Sequence, residues 1–123
     1  MGRSAKDRLL DALEHAEVAV AFVEGRSFSD YLSHDMLRSA VERRIEIVGE
    51  ALNAAFAQLP SLTRAIPEIR QIVATRHRLA HGYHDLDHDI IWSTATEELP
   101  QLVERHRELI LLTPAELERR FGS

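Results

Sequence analysis

The sequence contains no cysteine, and its 123 residues include only five glycines and four prolines. The absence of cysteine excludes disulfide scaffolds, thiolate zinc sites and cysteine nucleophiles. With 45% hydrophobic and 28% charged residues, the composition is that of a globular protein and not of a disordered or low-complexity chain. The length predicts a single domain over residues 1–123.

Long hydrophobic runs are also missing. The longest, Val18 to Val23, is far shorter than the roughly 20 apolar residues that cross a bilayer. The first eight residues lack the apolar core of a secretory signal. We therefore expect a cytoplasmic protein without a membrane span.

One segment with net positive charge lies within an acidic chain. The formal net charge is −5, yet the segment from Arg64 to His84 contains four arginines and one glutamate. This segment, the basic island, carries +3 and the remainder of the chain carries −8. A protein that coats nucleic acid non-specifically needs a broad cationic face. The sequence instead predicts one cationic patch on an acidic body.

Apolar residues recur at intervals of three and four, the period of helices with one buried face. No segment shows the two-residue period of a strand. We therefore predict an all-α bundle of four to five helices with antiparallel neighbours. The first predicted helix covers residues 5–24, and the second is a long helix that ends before Pro60, has Ser29 or Asp30 as its cap and starts in one or two pieces. The third runs from Pro67 towards Gly82, and the fourth is capped by Asp87 and has a kink or junction at Pro100. A short fifth helix begins at Thr113-Pro114.

The long second helix carries more apolar residues than one buried stripe requires. Ile47, Ala51 and Ala54 lie beside its main stripe. Either they widen the core of a monomer or they pack against a second copy of the chain, and the pattern favours neither.

The densest group of reactive side chains lies at the predicted end of the third helix, where residues 76–85 read RHRLAHGYHD. Histidine exchanges protons near neutral pH, and arginine carries a planar charge that matches phosphate, so the group suits phosphoryl chemistry. On an ideal helix Arg76 and His81 point about 140° apart. They converge if Gly82 ends the helix and His81 swings on its last turn, or if two copies meet at a shared cleft.

Some residues of this group can also be explained by roles other than catalysis. Arg76 and Arg78 could solvate a surface while His81 caps the helix end. His77 and His81 also have the i, i+4 spacing of metal ligands, but the neighbouring arginines disfavour a cation. The residues that would complete such a metal site are His84, Asp85, His88 and Asp89.

Three polar or aromatic residues lie within predicted apolar stripes. Glu50 is either an exposed or interface carboxylate, or a partner that fixes an arginine of the third helix. Trp92 and His106 lie on the buried stripe of the fourth helix, which favours core positions for both.

The spacing Arg76-x-x-x-x-His81-x-Tyr83 resembles the R-x-x-x-x-H-x-Y signature of HepT-type toxins, the HEPN-domain half of the HepT/MntA toxin–antitoxin pair. The resemblance covers roughly residues 8 to 112. Segments that agree in order are Ala40-Val41-Glu42-Arg43, Ile47-Val48-Gly49-Glu50-Ala51, Ile66-Pro67, His81-Gly82-Tyr83, Ile91-Trp92 and Leu99-Pro100-x-Leu102.

The resemblance implies a HEPN-type bundle that dimerises, so that two copies of the motif line one cleft, and a ribonuclease that needs no metal or other cofactor. It makes Arg76 and His81 the catalytic pair. It also implies that a minimal nucleotidyltransferase antitoxin of the MntA type attaches AMP to Tyr83. His77 departs from the family, whose members usually have a small polar residue there. Either His77 supplies the polar contact or catalysis is weaker.

The chemistry of RNA is consistent with this pair. The 2′-hydroxyl is a built-in nucleophile, so the enzyme needs a proton-transfer group and positive charge on the phosphorane. His81 and Arg76 fit those roles, and the expected products have 2′,3′-cyclic phosphate ends. The alternative is a non-catalytic helical module whose basic island holds a nucleotide or a partner protein.

Overall fold

A computed structural model describes residues 4–81 and 87–123, and every regular element in these two ranges is helical. The prediction of an all-α bundle is confirmed. None of the described helices combines the length and the apolar character that crossing a bilayer requires. The helices are α1 (Ala5–Val23), α2 (Phe28–Ser33), α3 (Asp35–Gln58), α4 (Leu62–Ala65), α5 (Ile69–Ala80), α6 (His88–Ser93), a π-helical turn (Thr94–Glu98), α7 (Leu99–Leu109) and α8 (Pro114–Phe121).

Two of the predicted caps begin helices as expected. The Asp87 side chain accepts a hydrogen bond from the Asp89 amide at 3.0 Å and starts α6. Thr113 accepts from the Glu116 amide at 3.1 Å, and the Glu116 carboxylate accepts from the Thr113 amide at 3.1 Å. This reciprocal capping box satisfies two amides that the first turn of α8 cannot pair internally.

The predicted start of the long second helix is wrong by a few residues. Ser27, and neither Ser29 nor Asp30, caps α2, and Asp30 reaches back to the Ser27 amide at 2.9 Å. The helix is in two pieces, because a new helix begins after His34, whose Nδ1 accepts from the Leu37 amide at 3.1 Å.

The segment expected to break the pattern between Pro60 and Pro67 contains the single turn α4. Glu68 is the N-cap of α5, which begins at Ile69 and so starts later than Pro67. The Glu68 side chain is almost fully buried and accepts a hydrogen bond from Nε of Arg105 at 2.9 Å. This ion pair joins the start of α5 to α7.

Pro100 does not end the fourth helix. A proline lacks an amide hydrogen and its ring collides with the carbonyl one turn earlier. The backbone widens into the π-helical turn Thr94–Glu98 just before it, and Pro100 occupies the first turn of α7. The helix therefore continues to Leu109.

The core is built around α3, which packs against α1 on one side and α5 on the other, while α7 packs on α1. The main apolar stripe of the long helix, which continues to its C-cap, is buried throughout: Leu37, Val41, Ile45, Val48, Leu52, Ala55 and Leu59. Of the surplus apolar residues beside it, Ala51 is 5% exposed and belongs to this core. Ile47 and Ala54 are half-buried.

His106 is a core residue, as its place on the apolar stripe predicted. It is completely buried, and neither ring nitrogen has a hydrogen-bond partner within the described residues. Burial disfavours the charged imidazole and lowers the pKa of His106 to about 4.

We expect the free energy of unfolding to fall as the pH falls from 6.5 towards 4. In this interval the unfolded chain protonates His106 while the folded chain does not, so protonation favours unfolding. A pKa lowered from 6.5 to about 4 corresponds to a loss of about 3 kcal/mol. Urea unfolding of the wild type and of His106→Leu at a series of pH values measures this. Equal pH dependence of both proteins would contradict the assignment.

Candidate active site

Arg76 of α5 packs against α3 at Gly49. A Cβ atom added to Gly49 would lie 2.4 Å from Cβ and 2.8 Å from Cγ of Arg76, so the stem of the arginine occupies the space that a side chain at residue 49 would need. The glycine thus lets α5 approach α3 and fixes the direction in which Arg76 leaves its helix.

His77 and His81 form a stacked pair one helical turn apart. Their ring centroids are separated by 5.9 Å and their planes differ by 10°. The helix ends at Ala80, but the His81 amide still donates to the His77 carbonyl at 3.2 Å. His81 therefore lies on the same exposed side of α5 as His77, whereas the stem of Arg76 is directed towards α3. Within one copy of the chain, the side chains of the two candidate catalytic residues therefore point away from α5 in different directions.

The arginines of the basic island are wholly or partly exposed. Arg64, Arg70 and Arg78 are exposed and Arg76 is half-buried. The ion pairs within the described ranges link Arg38 to Asp35, Arg43 to Glu46, and Arg105 to Glu68, so these four arginines have no carboxylate partner there. Their charge is available to an anionic ligand.

Other candidate residues are not joined to this site by the described contacts. Glu50 is exposed, and no ion pair connects it to an arginine of α5 in the described ranges. Tyr83 lies outside the described residues, together with His84, Asp85 and the expected cap Gly82. Among residues 4–81 and 87–123, no three histidine or acidic side chains are grouped so that they could hold a metal ion.

A polar cluster that the sequence did not predict holds the start of α6. The Tyr31 hydroxyl lies 3.4 Å from Nδ1 of His88, and the two residues are 57 positions apart, so no spacing indicates the contact. Tyr31 is fully buried, and burial, reinforced by the nearby Glu42 carboxylate, raises the pKa of its hydroxyl. Burial also raises the pKa of Glu42. Trp92, predicted to be a core residue, is partly buried and packs against the core, with its ring centroid 5.4 Å from that of Tyr31.

Comparison with known proteins gives a consistent result. The family model "Ribonuclease HepT-like" matches residues 12–109. The chain is 34% identical to "Probable ribonuclease HepT" of Thermococcus cleftensis over 112 residues, which cover 89% of this chain and 98% of that protein. It is 30% identical to a "Putative RNase" of Caldanaerobacter subterraneus subsp. tengcongensis over 80% of this chain and 87% of that protein. No solved structure matches the chain.

The substitution Gly49→Ala tests the crossing of α3 and α5. Alanine improves intrinsic helix propensity by about 1 kcal/mol. The new methyl group, however, would meet the stem of Arg76 and not a flexible side-chain end. We expect a net destabilisation of about 1–3 kcal/mol, typical of overpacking, together with a shifted NMR signal of the Arg76 Nε–H group.

The matched control is Ser39→Ala, at an exposed position of the same helix, which should change stability by less than about 0.5 kcal/mol. A Gly49→Ala protein at least as stable as the wild type, with an unmoved Arg76 signal, would show that the two helices do not meet as described.

Proposed function

The chain belongs to the HepT-like ribonuclease family, and we propose that it is the toxin of a type VII toxin–antitoxin system, an endoribonuclease that cleaves RNA without a metal ion. The observation that carries the proposal is the arrangement at the end of α5. Arg76 has no carboxylate partner in the described ranges, and the next residue begins the stacked pair His77 and His81. A phosphodiester supplies the negative charge that this surface lacks.

The proposed reaction is an internal transesterification. His81 removes the proton of the 2′-hydroxyl, the resulting oxyanion forms a bond to phosphorus, and the bond from phosphorus to the 5′-oxygen breaks. Water gives a proton to the leaving 5′-oxygen and takes back the proton held by His81, which leaves a 2′,3′-cyclic phosphate and a 5′-hydroxyl. Arg76 stabilises the additional negative charge on the phosphoryl oxygens as the bonds exchange.

We propose that the active form is a homodimer. Arg76 and His81 of one copy leave α5 in different directions, and a second copy would place its own motif across the cleft. The half-buried Ile47 and Ala54 of α3 supply apolar surface that the monomer core does not cover completely.

We propose that Tyr83 is the residue through which a minimal nucleotidyltransferase antitoxin of the MntA type controls the enzyme. Tyr83 follows His81 by two residues, so the chain keeps their Cα atoms within about 7 Å. An AMP group on the Tyr83 hydroxyl would bring a phosphodiester anion and a base into the region that receives RNA. This anion would compete with the substrate for Arg76.

The ribonuclease proposal predicts cleavage of single-stranded RNA in the presence of EDTA, and no cleavage of the corresponding DNA, which lacks the 2′-hydroxyl. Arg76→Ala and His81→Ala should each lower the rate by about 100-fold or more, the usual contribution of a group that stabilises transition-state charge and of a proton-transfer group respectively. Gel analysis of end-labelled RNA and detection of the cyclic phosphate measure this. Arg119→Ala, an exposed arginine of α8, is the control.

The two inactive variants together also test the dimer. If each site combines Arg76 of one copy with His81 of the other, a mixed dimer of Arg76→Ala and His81→Ala contains one intact site and regains activity. Failure of the mixture despite subunit exchange would place both residues of a site in one chain. RNA binding without cleavage by the wild type would favour the non-catalytic module.

Co-expression with the antitoxin tests the role of Tyr83. Intact-mass analysis should show additions of whole AMP units on the wild type and none on Tyr83→Phe, whose toxicity should persist because it lacks the acceptor hydroxyl. Tyr31→Phe is a matched control, since Tyr31 is fully buried and should not be modified. A wild type that is neutralised while its mass stays unchanged would contradict modification as the mechanism.

A further inference from the structure

A groove of about 470 Å³ lies between α3, α4 and α5, next to the candidate site. Phe56 of α3 and Val73 of α5 give it an apolar lining. Asn53, Arg70 and His77 add polar groups, and all three are exposed. The groove therefore offers an apolar surface with an amide, a guanidinium and an imidazole beside it.

The groove is continuous with the candidate active site through His77. The same imidazole lines the groove and stacks on His81. On α3, Asn53 lies one helical turn after Gly49, the residue on which the stem of Arg76 rests. A ligand in the groove thus lies against His77, whose ring stacks on that of His81.

The charges around the groove favour an anionic occupant. No carboxylate is among the lining residues that the structure describes, and Arg70 has no ion-pair partner within the described ranges. A second groove, of about 460 Å³ on α7, is lined by Arg105 and Gln101 but also by Glu104 and Glu108, which would repel an anion. The two grooves are similar in volume, but only the groove between α3 and α5 is suited by its charges to an anionic ligand.

We infer that the groove between α3 and α5 binds a nucleotide of the RNA adjacent to the phosphate that is cut. Unstacked bases bind proteins through an aromatic or apolar surface and through hydrogen bonds to their polar edge. The base lies against Phe56, the Asn53 amide bonds to its edge, and Arg70 binds a phosphate. The amide makes this groove the place where the enzyme distinguishes one base from another. The inference rests on the proposed function, because it takes RNA as the substrate.

Binding of RNA that cannot react tests the groove separately from catalysis. The probes are short fluorescent oligonucleotides of each of the four bases with fluorine in place of every 2′-hydroxyl, so that no nucleophile is present. Fluorescence anisotropy gives Kd for the full-length wild type, Asn53→Ala and Arg70→Ala. We expect each variant to weaken binding roughly three- to tenfold, the usual effect of losing one hydrogen bond or phosphate contact.

The two variants should change RNA binding in different ways. Asn53→Ala should flatten the preference among the four bases, whereas Arg70→Ala should weaken all four equally and reduce the salt dependence of binding. Gln101→Ala in the groove on α7 and Arg119→Ala on α8 are matched controls for the amide and the guanidinium, and both should bind like the wild type.

Wild-type affinity and base preference in both groove variants would overturn the inference. It would also be overturned if sedimentation showed that Asn53→Ala changes self-association and leaves RNA binding unchanged, since a second copy of the chain would then cover the groove. If binding depends on Asn53 and Arg70 but natural RNA is never cleaved, the groove is supported and the proposed reaction is refuted.

Discussion

The crossing of α3 and α5 at Gly49 positions the rest of the candidate site. The missing side chain at residue 49 admits the Cβ and Cγ atoms of Arg76, so the arginine packs through its stem and keeps its charged end for solvent or ligand. On the other side of α5, the hydroxyl of Thr75 lies 3.0 Å from that of Thr94 in the π-helical turn, in a buried contact. These two contacts fix the rotation of α5, and with it the face that carries His77.

Electrostatics separate this region from the rest of an acidic protein. The ion pairs within the described ranges are made by arginines of α3 and α7, and one of them, between Arg105 and Glu68, anchors the start of α5. The arginines further along α5 have no carboxylate partner there. Neighbouring unpaired cations repel one another and do not stabilise the fold. An anionic ligand bound beside the stacked imidazole pair would reduce this repulsion, as the proposed function expects.

Much of the fold and the place of the candidate site could be predicted from the sequence, because the relevant interactions are short-range along the chain. Helical periodicity located the buried stripe of α3. Caps such as Asp87 and Thr113 act within three residues, so a local pattern identifies them. The motif from Arg76 to His81 predicted where reactive groups collect, at the end of α5, although their catalytic roles remain a proposal.

The sequence by itself determined most of the helical segments and the place where reactive side chains are grouped, because both depend on spacing and residue type. Tertiary structure decided what lies between helices: the close approach at Gly49, the groove beside His77, and the contact between Tyr31 and His88 across 57 positions. Those features depend on how far apart and at what rotation two helices pack. That geometry is set by the fit of side chains distant in sequence, which no local pattern contains.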